Sequence, residues 1–527
     1  MTEEGRGMNQ GWSPAVRRKL QELADLVAEQ RFGEAGIPKE ITFSEIEEIG
    51  PQVGQLAAGT IDQALQQPHA EHLAEVEPCP GCGLDCIIEQ RPRRRSLQTR
   101  DGTVELDEPV CHCRACERDF FPQRPLLKLD GRGSSPLVLE RIIVAGGLAK
   151  SFGNVSELLK RIGEIDVSSR QVNNLTVLVG QELSARRDRQ TAAYAARPLP
   201  RVVTQVASVS QLACVEVHGG RMQTRTAGKG PGVHEAHWRE TKTAGFFRMK
   251  TASHAADPHP ELPPCFAARQ RMKGLLPGVG EMPAEPVAQP PRDRAPDYRP
   301  KVLFRTCSAS LESSECFGPT MAAEADARGF FAAQRRAFLG DGLPYNWSIQ
   351  RTHFPTFEPI VDFVHPVERL YAAARAVGND DAQAWPQYVA WAAAVWQGRV
   401  EEVFQELAGH SQSLGPPPQD AEESDPRRVL AETLTYLPNN ARRMDYPRYR
   451  REGLPATSAL IESLVKEMNY RVKGTEKFWN DGPNGEAILQ VRAALLSDDD
   501  RLAAHIRNRP GSPYARRSRK TTLANAA

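Results

Sequence analysis

The sequence lacks an uncharged apolar run long enough to cross a bilayer, so a membrane-spanning protein is not expected. Its first residues, MTEEGRGMNQ, are acidic and contain no apolar stretch of the signal-peptide kind, which makes the cytoplasm the expected compartment. Charge of one sign is also missing. Lys and Arg total 67 against 66 Asp and Glu, a formal net charge of +1, without the global basic signal of many dedicated nucleic-acid binders. No repeat of solenoid length is visible. Cysteine is sparse, ten in 527 residues, and unevenly spread, which excludes a disulfide-stapled scaffold. What remains is ordinary globular composition, 40% hydrophobic and 25% charged, in a chain long enough for three or four domains.

The pattern changes several times along the chain. Leu20, Leu23, Leu26 and Val27 recur at helical spacing, and a second helical stretch follows near Phe43 to Leu65, giving an N-terminal helical region over 1–75. Residues 76–124 turn to short β-prone pieces around an Asp101-Gly102 turn. Residues 125–195 are helical again, with a break at Gly163 and a third helix starting near Ser168, whose spacing to Gln171 is that of a capping box; a helix-turn-helix unit fits. From Val202 the chain is β-prone at Leu212–Val217, Arg221–Arg225, Gly245–Thr251 and Lys301–Leu311, interrupted by a proline-rich insertion near 255–300. A helix at Cys316–Gln334 and strands at Ala337–Leu339 and Ile360–Phe363 follow, so a mixed α/β sheet is expected over 200–370. Residues 371–455 read as a helical insertion, with the stretch from Trp385 to Trp396 expected in a core. Residues 456–510 carry a last helix, roughly Thr457–Val472, and 511–527 form a basic tail.

Six of the ten cysteines fall between Cys79 and Cys116. Cys79-Pro-Gly-Cys82 and Cys113-Arg-Ala-Cys116 are two knuckles separated by a β-prone loop, the arrangement that lets four thiolates converge on one structural Zn²⁺. Cys86 and Cys111 lie close enough to be alternative ligands. Arginine runs at Arg93–Arg95, Arg186–Arg189, Arg442–Arg451 and Arg516–Lys520 are local basic features, each more often a solvated face than a phosphate contact.

Two acidic positions have a geometry suited to metal-dependent phosphoryl transfer, which needs carboxylates brought together from separate elements. Asp341 ends a strand between two glycines. Glu462 shares a helical face with Lys466, Asn469 and Lys473, opposite Leu460, Leu464, Val465 and Met468. The bland alternatives are an exposed Glu462–Lys466 ion pair and an aspartate supporting a turn.

The segments HGGRMQTR (from His218), HWRETK (from His237), RRAFLGDGLPYNW (from Arg335), PIVDFVHPVERLY (from Pro359), NNARRMDYPRYRREGLPATSALIES (from Asn439) and NYRVKGTEKFW (from Asn469) resemble the DDE transposases of the Kra-type bacterial insertion sequences, and the similarity runs from the cysteine knuckles onward. It implies a multidomain α+β protein: N-terminal helices, zinc ribbon, helix-turn-helix, and an RNase H-like α/β catalytic core with a helical insertion. It also implies binding of the element's terminal inverted repeats, Mg²⁺- or Mn²⁺-dependent cleavage and strand transfer, and a homodimer or higher oligomer at synapsis. Within that resemblance Asp341 and Glu462 take the second and third positions of the catalytic triad and would hold magnesium.

The first position, an aspartate in the family's V-x-V-D-G-G-R pattern, is His218 here. Imidazole is a poor magnesium ligand, so an impaired copy is expected. Glu216, on the same strand face, is the candidate substitute, and Asp362, in a D-x-x-H pair with His365, the candidate support. DNA contacts are expected from Arg170, Asn173 and Asn174, which with Ser169 open the third helix, from Arg442, Arg443 and Arg448, interleaved with Tyr446 and Tyr449, and from Lys466 and Lys473. A non-catalytic DNA-binding protein and a metal-dependent nuclease without strand transfer are the alternatives.

Overall fold

A computed structural model describes residues 12–204, 209–225, 235, 237–272, 299–378, 380–457, 459–474, 477–480 and 483–515. The Arg516–Lys520 run and most of the proline-rich insertion lie outside these. The chain is a mixed α+β protein that divides into two compact units. One holds the residues up to Arg141, with Leu158–Asp166 and the stretch from Ile506; the other holds Ile142–Glu157 and Val167–His505. The helices Pro136–Leu148 and Phe152–Gly163 of the helix-turn-helix candidate are thus divided between units.

In the first unit, Ser13 caps the helix Pro14–Phe32, and Thr42 and Glu45 close a capping box on the helix Phe43–Ala70. Six short strands follow as three antiparallel pairs: β1 (Val76–Pro78) with β2 (Asp85–Ile87), β3 (Arg93–Thr99) with β4 (Gly102–Glu108), and β5 (Cys111–Cys113) with β6 (Arg118–Phe120). Gly102, at φ +126°, makes the expected turn between β3 and β4. The Arg93–Arg95 run serves this sheet: the three pair with Asp119, Asp107 and Glu108 respectively. The part of the C-terminal tail that is described is not a free arm. Phe121 N–H donates to Pro513 O (2.7 Å), Ser512 N–H donates to Leu129 O (2.8 Å), and the Tyr514 ring lies under the Arg118 guanidinium.

The second unit is built on a mixed sheet of β7 (Leu212–Arg225), β8 (Trp238–Lys250), β9 (Lys301–Ser310), β10 (Arg335–Gly340), β11 (Glu358–Val361) and the short β12 (Trp479–Asn480). Strand order is β11-β10-β7-β8-β9, with β12 beside the end of β7. The first three strands in chain order run antiparallel to one another, and β10 and β11 run parallel to β7. The pieces read from sequence as two strands, Leu212–Val217 and Arg221–Arg225, are one. The His218-Gly219-Gly220 break in hydrophobicity suggested a gap, but each of these residues pairs with β8. Residues 212–217 are buried without alternation, as befits a central strand covered on both faces.

Between β11 and the helix Ala459–Val472 lie four long helices, Val364–Val377, Asp381–Trp396, Val400–Leu414 and Pro426–Asn440. Trp391 and Trp396 are fully buried there, as expected of core residues. The helix Ala459–Val472 is not the last. Pro483–Leu495 and Arg501–Arg507 follow, and the former packs along Ser169–Ala195 at Gly180, where any Cβ would stand 2.2 Å from the Ala487 carbonyl oxygen. Its apolar residues, among them Ile488, Leu489 and Ala493, join the core formed by Ile461, Leu464, Val465 and Met468.

Candidate metal centres and the sheet-end site

Among the described residues, two groups of side chains are placed to hold a metal ion. The first is the set expected from the knuckles: Cys79, Cys82, Cys113 and Cys116, with all four sulfurs within 4.8 Å of one another. A tetrahedral zinc with bonds near 2.3 Å separates its sulfurs by roughly 3.8 Å. The Cys79–Cys116 and Cys82–Cys113 pairs stand at 3.8 and 3.5 Å, so the site needs almost no rearrangement to accept zinc. Although burial opposes ionisation, hydrogen bonds from the Cys116 and Ala115 N–H groups and from neighbouring thiols bring the Cys113 thiol down to about 6. Cys86 and Cys111 stay outside the set. The Cys86 thiol is directed at the Leu84 carbonyl, and burial pushes the Cys111 thiol up to about 11.

The second group is His218, His365 and Glu462. It forms where the sheet brings three chain ends together. Leu339 of β10 lies beside Glu216 of β7, so the chain leaving β10 at Asp341 emerges next to His218. β11 continues the ladder, with Asp362 N–H donating to Gly340 O (3.0 Å), and the next turn presents His365. The helix Ala459–Val472 lays Ile461, Leu464, Val465, Met468 and Val472 onto the sheet, and this seating turns Glu462 towards β7. Glu462 Oε1 is 3.2 Å from His218 Nε2. Burial works against protonation of His218, but the Glu462 carboxylate outweighs it and raises the imidazole's pKa; the same contact lowers that of Glu462. His365 is half-buried; desolvation works against its protonation too, but Glu368, Asp362 and Asp341 lift it to about 9.

The sequence-predicted residues fare differently. Asp341 reaches its expected place, but its Oδ1 accepts from Leu343 N–H (2.9 Å) and Asn346 Nδ2 (2.7 Å), the turn-supporting role. Gly342, at φ +94°, packs its backbone onto the Tyr436 ring, and this is the close approach its lack of a side chain permits. Glu216 does not stand in for the missing carboxylate. It is fully buried beneath the site, with Oε2 accepting from Ile461 N–H (3.1 Å) and Oε1 facing the Cys214 thiol. Asp362 is buried, and its Oδ1 accepts from Val364 N–H (3.2 Å). His365, read only as half of a pair with Asp362, is itself one of the three converging donors; the D-x-x-H spacing on a strand end was its one signal.

Burial and the neighbouring Asp362 charge push Glu216 up to about 8, far above an ordinary glutamate. The folded state therefore binds a proton between about pH 4.5 and 8 that the unfolded chain has released, and stability falls as pH rises through that window. Glu216→Gln keeps an acceptor for Ile461 N–H and removes the titration. We expect its unfolding free energy to change less between pH 5 and pH 8.5 than that of the native protein, and to exceed it at the upper end. Parallel curves for the two proteins in urea titrations at both pH values would contradict this.

The residues proposed for DNA are mostly engaged. Tyr446 and Tyr449 are fully buried, so neither ring can stack on a base. Arg448 pairs with Glu358, Asp445 and Glu452. Arg442 is exposed, as are Lys466, on the helix that carries Glu462, and Lys473, which lies just beyond that helix's end at Val472 and so does not share its face. Arg443 lies over the Trp347 ring and lines an open cleft of about 910 Å³ beside Asp341 and His365, together with Arg351, Arg369 and Arg428. Those three come from separate helices, and no spacing in the sequence joins them. Arg170 and Asn174 are exposed and Asn173 half-buried in the first turns of Ser169–Ala195; Ser168 caps this helix by accepting from Gln171 N–H (3.2 Å). Of the Arg186–Arg189 run, Arg187 is buried against Glu486, Glu312 and Asp188.

No protein-family model matches the chain, and no curated protein does. Among the described residues, no helix is long and apolar enough to cross a membrane.

Proposed function

We propose that this chain is a transposase of the DDE type in architecture, one that binds the ends of its own insertion sequence but is impaired in magnesium-dependent strand transfer. The observation that carries the reading is the sheet. Three antiparallel strands followed by two parallel ones, in the order β11-β10-β7-β8-β9, support the RNase H-like core that the resemblance implies, in which His218, Asp341 and Glu462 would occupy the triad positions. The cysteine knuckles would form a zinc ribbon, the helices over 125–195 the helix-turn-helix, and the four helices after β11 the insertion. The cleft beside the site, lined by Arg351 and Arg443 and by Arg369 and Arg428 that pair with Glu432, would suit a phosphate backbone, because guanidinium groups pair with phosphate oxygens. Two ends brought together would call for a homodimer.

The donor set does not fit a pair of magnesium ions. Magnesium takes hard oxygen ligands, whereas two of the three converging donors are imidazoles, Asp341 uses its Oδ1 to hold its own turn, and Glu216 is buried beneath the site and bonded to Ile461 N–H. No magnesium-dependent step is therefore assigned to this centre.

The test is a joining assay on DNA carrying the sequences that flank the gene, with Mg²⁺ and a target plasmid. The native protein is expected to shift the end-bearing DNA in a gel without joining it. His218→Asp, which returns a hard ligand, should raise the rate of joining by on the order of 10²-fold, the equivalent of a few kcal/mol of charge stabilisation. Joined products from the native protein would remove the impairment from this reading, hydrolysis without joining in His218→Asp would indicate a nuclease, and failure of every form to bind the ends would overturn it.

A further inference from the structure

The side chains that exclude magnesium are well chosen for a different ion. We infer that His218, His365 and Glu462 form a mononuclear site for a borderline first-row divalent cation, zinc foremost, separate from the four-cysteine site. The donors come from three elements distant in sequence, β7, the start of the helix after β11, and the helix Ala459–Val472, and all three donor atoms lie within 4.8 Å of one another. Bonds of about 2.1 Å in tetrahedral geometry set neighbouring donors roughly 3.4 Å apart. The His218–Glu462 pair already stands at 3.2 Å, and a small side-chain rotation of His365 completes the trio.

What separates this from a chance cluster is the outer partner of each imidazole. A metal-bound histidine characteristically gives its second ring N–H to a carbonyl or carboxylate, which fixes the tautomer and aims the other nitrogen at the ion. His218 Nδ1 is bonded to the Gly219 carbonyl, leaving Nε2 towards Glu462. His365 Nδ1 faces Glu368 Oε2 at 3.5 Å, leaving Nε2 3.7 Å from Asp362 Oδ2. The His218 ring is thus held from behind, and His365 has a carboxylate beside each ring nitrogen, so a metal at Nε2 would take up the position that now faces Asp362. Two imidazoles and one carboxylate suit zinc and its neighbours in the first transition row, and three protein ligands leave a fourth position for water or a phosphate oxygen. That position lies beside the arginine-lined cleft, since His365 lines both.

The inference shares its site with the proposed function but does not require DNA to be the partner. The full-length protein, stripped of metal under reducing conditions, is titrated with Co²⁺ and then analysed for bound Zn²⁺. Two equivalents are expected: one with sulfur-to-cobalt charge-transfer absorption, from the cysteines, and a second with only the weaker visible bands of a nitrogen and oxygen site. His365→Gln should lose the second and keep the first. Glu462→Gln, on a half-exposed side chain that leaves the fold intact, should weaken the second at least tenfold. Magnesium in large excess should not displace it. A single cobalt equivalent carried entirely by sulfur, an undiminished second equivalent in Glu462→Gln, or displacement by magnesium would each overturn the site. Any of these leaves the DNA-end reading standing, and loss of end binding with two equivalents retained does the reverse.

Discussion

Replacing Cys113 by serine is expected to abolish the thiolate-bound metal and to unfold the small strands around it, with no change in the melting of the sheet-containing unit. The core under the knuckles contains little besides the sulfurs themselves: Cys79, Cys86, Cys111, Cys113 and Phe120 are its buried members, with Ile88 and Tyr514 against them. The strands β1, β2, β5 and β6 have three residues each, too few ladder bonds to hold alone. In such a unit metal binding is folding energy, and apparent values for four-ligand zinc sites run to about 10–16 kcal/mol at neutral pH. Hydrogen exchange on the zinc-loaded protein should show the amides of β5 and β6 losing protection in Cys113→Ser and keeping it in Cys86→Ser. If the two variants behaved alike, or if only Cys86→Ser lost metal, the ligand set would be wrong.

The second large effect is expected at Arg450. Its guanidinium is fully buried, bonded through Nε to Asp257 Oδ1 (2.8 Å) and through Nη1 to the Trp396 carbonyl (3.1 Å), and it lies over the Trp396 ring. Arg450→Ala removes the ring contact, leaves the Trp396 carbonyl without its donor, and leaves the half-buried Asp257 with only the His259 N–H (3.0 Å). Breaking a buried pair on one side costs about 3–5 kcal/mol, more than replacing both members. Urea denaturation followed by tryptophan fluorescence should show that loss for Arg450→Ala and recover most of it for Arg450→Met with Asp257→Asn; a loss below about 1 kcal/mol would contradict the burial argument. The pair also fixes a sign of pH dependence. Burial tends to raise the Asp257 pKa, but Arg450 holds it below the ordinary aspartate range. Its contribution is complete above that range and disappears as pH falls through the lowered value, so the double variant should have a shallower acid limb.

How far the sequence could be read depended on whether the determining contacts were local. The cysteine knuckles were legible because a metal site of this kind is set by spacing within a short segment, and the structure returned the same four residues. The helix start at Ser168 was likewise written in its capping residue. The mixed sheet was legible in kind from β-prone runs and intervening helices, but the unity of β7 was not. A polar His-Gly-Gly stretch looks like a break until a partner strand pairs with it.

Charge was the least legible. The arginine runs read as solvated faces, and that at Arg442–Arg451 as a DNA contact, yet Arg93–Arg95, Arg187, Arg448 and Arg450 are bound by carboxylates of this chain, and tyrosines that seemed placed for stacking are core. Arg351, Arg369, Arg428 and Arg443 line one cleft although nothing in their spacing announces it, and of these Arg369 and Arg428 too are paired with a carboxylate, that of Glu432.

By itself, then, the sequence determined the features that depend on neighbours along the chain: where the helix at Ser168 begins, which four sulfurs can meet, and that position 218 carries imidazole in place of carboxylate. Only the tertiary structure decided what that imidazole faces. Because β7, β10 and β11 lie side by side, and because the apolar side of Ala459–Val472 is seated on the sheet, His365 and Glu462 come to His218 from 147 and 244 residues away, while Glu216, two residues off, is carried underneath. Side-chain convergence across such distances is a property of packing, and no local pattern encodes it.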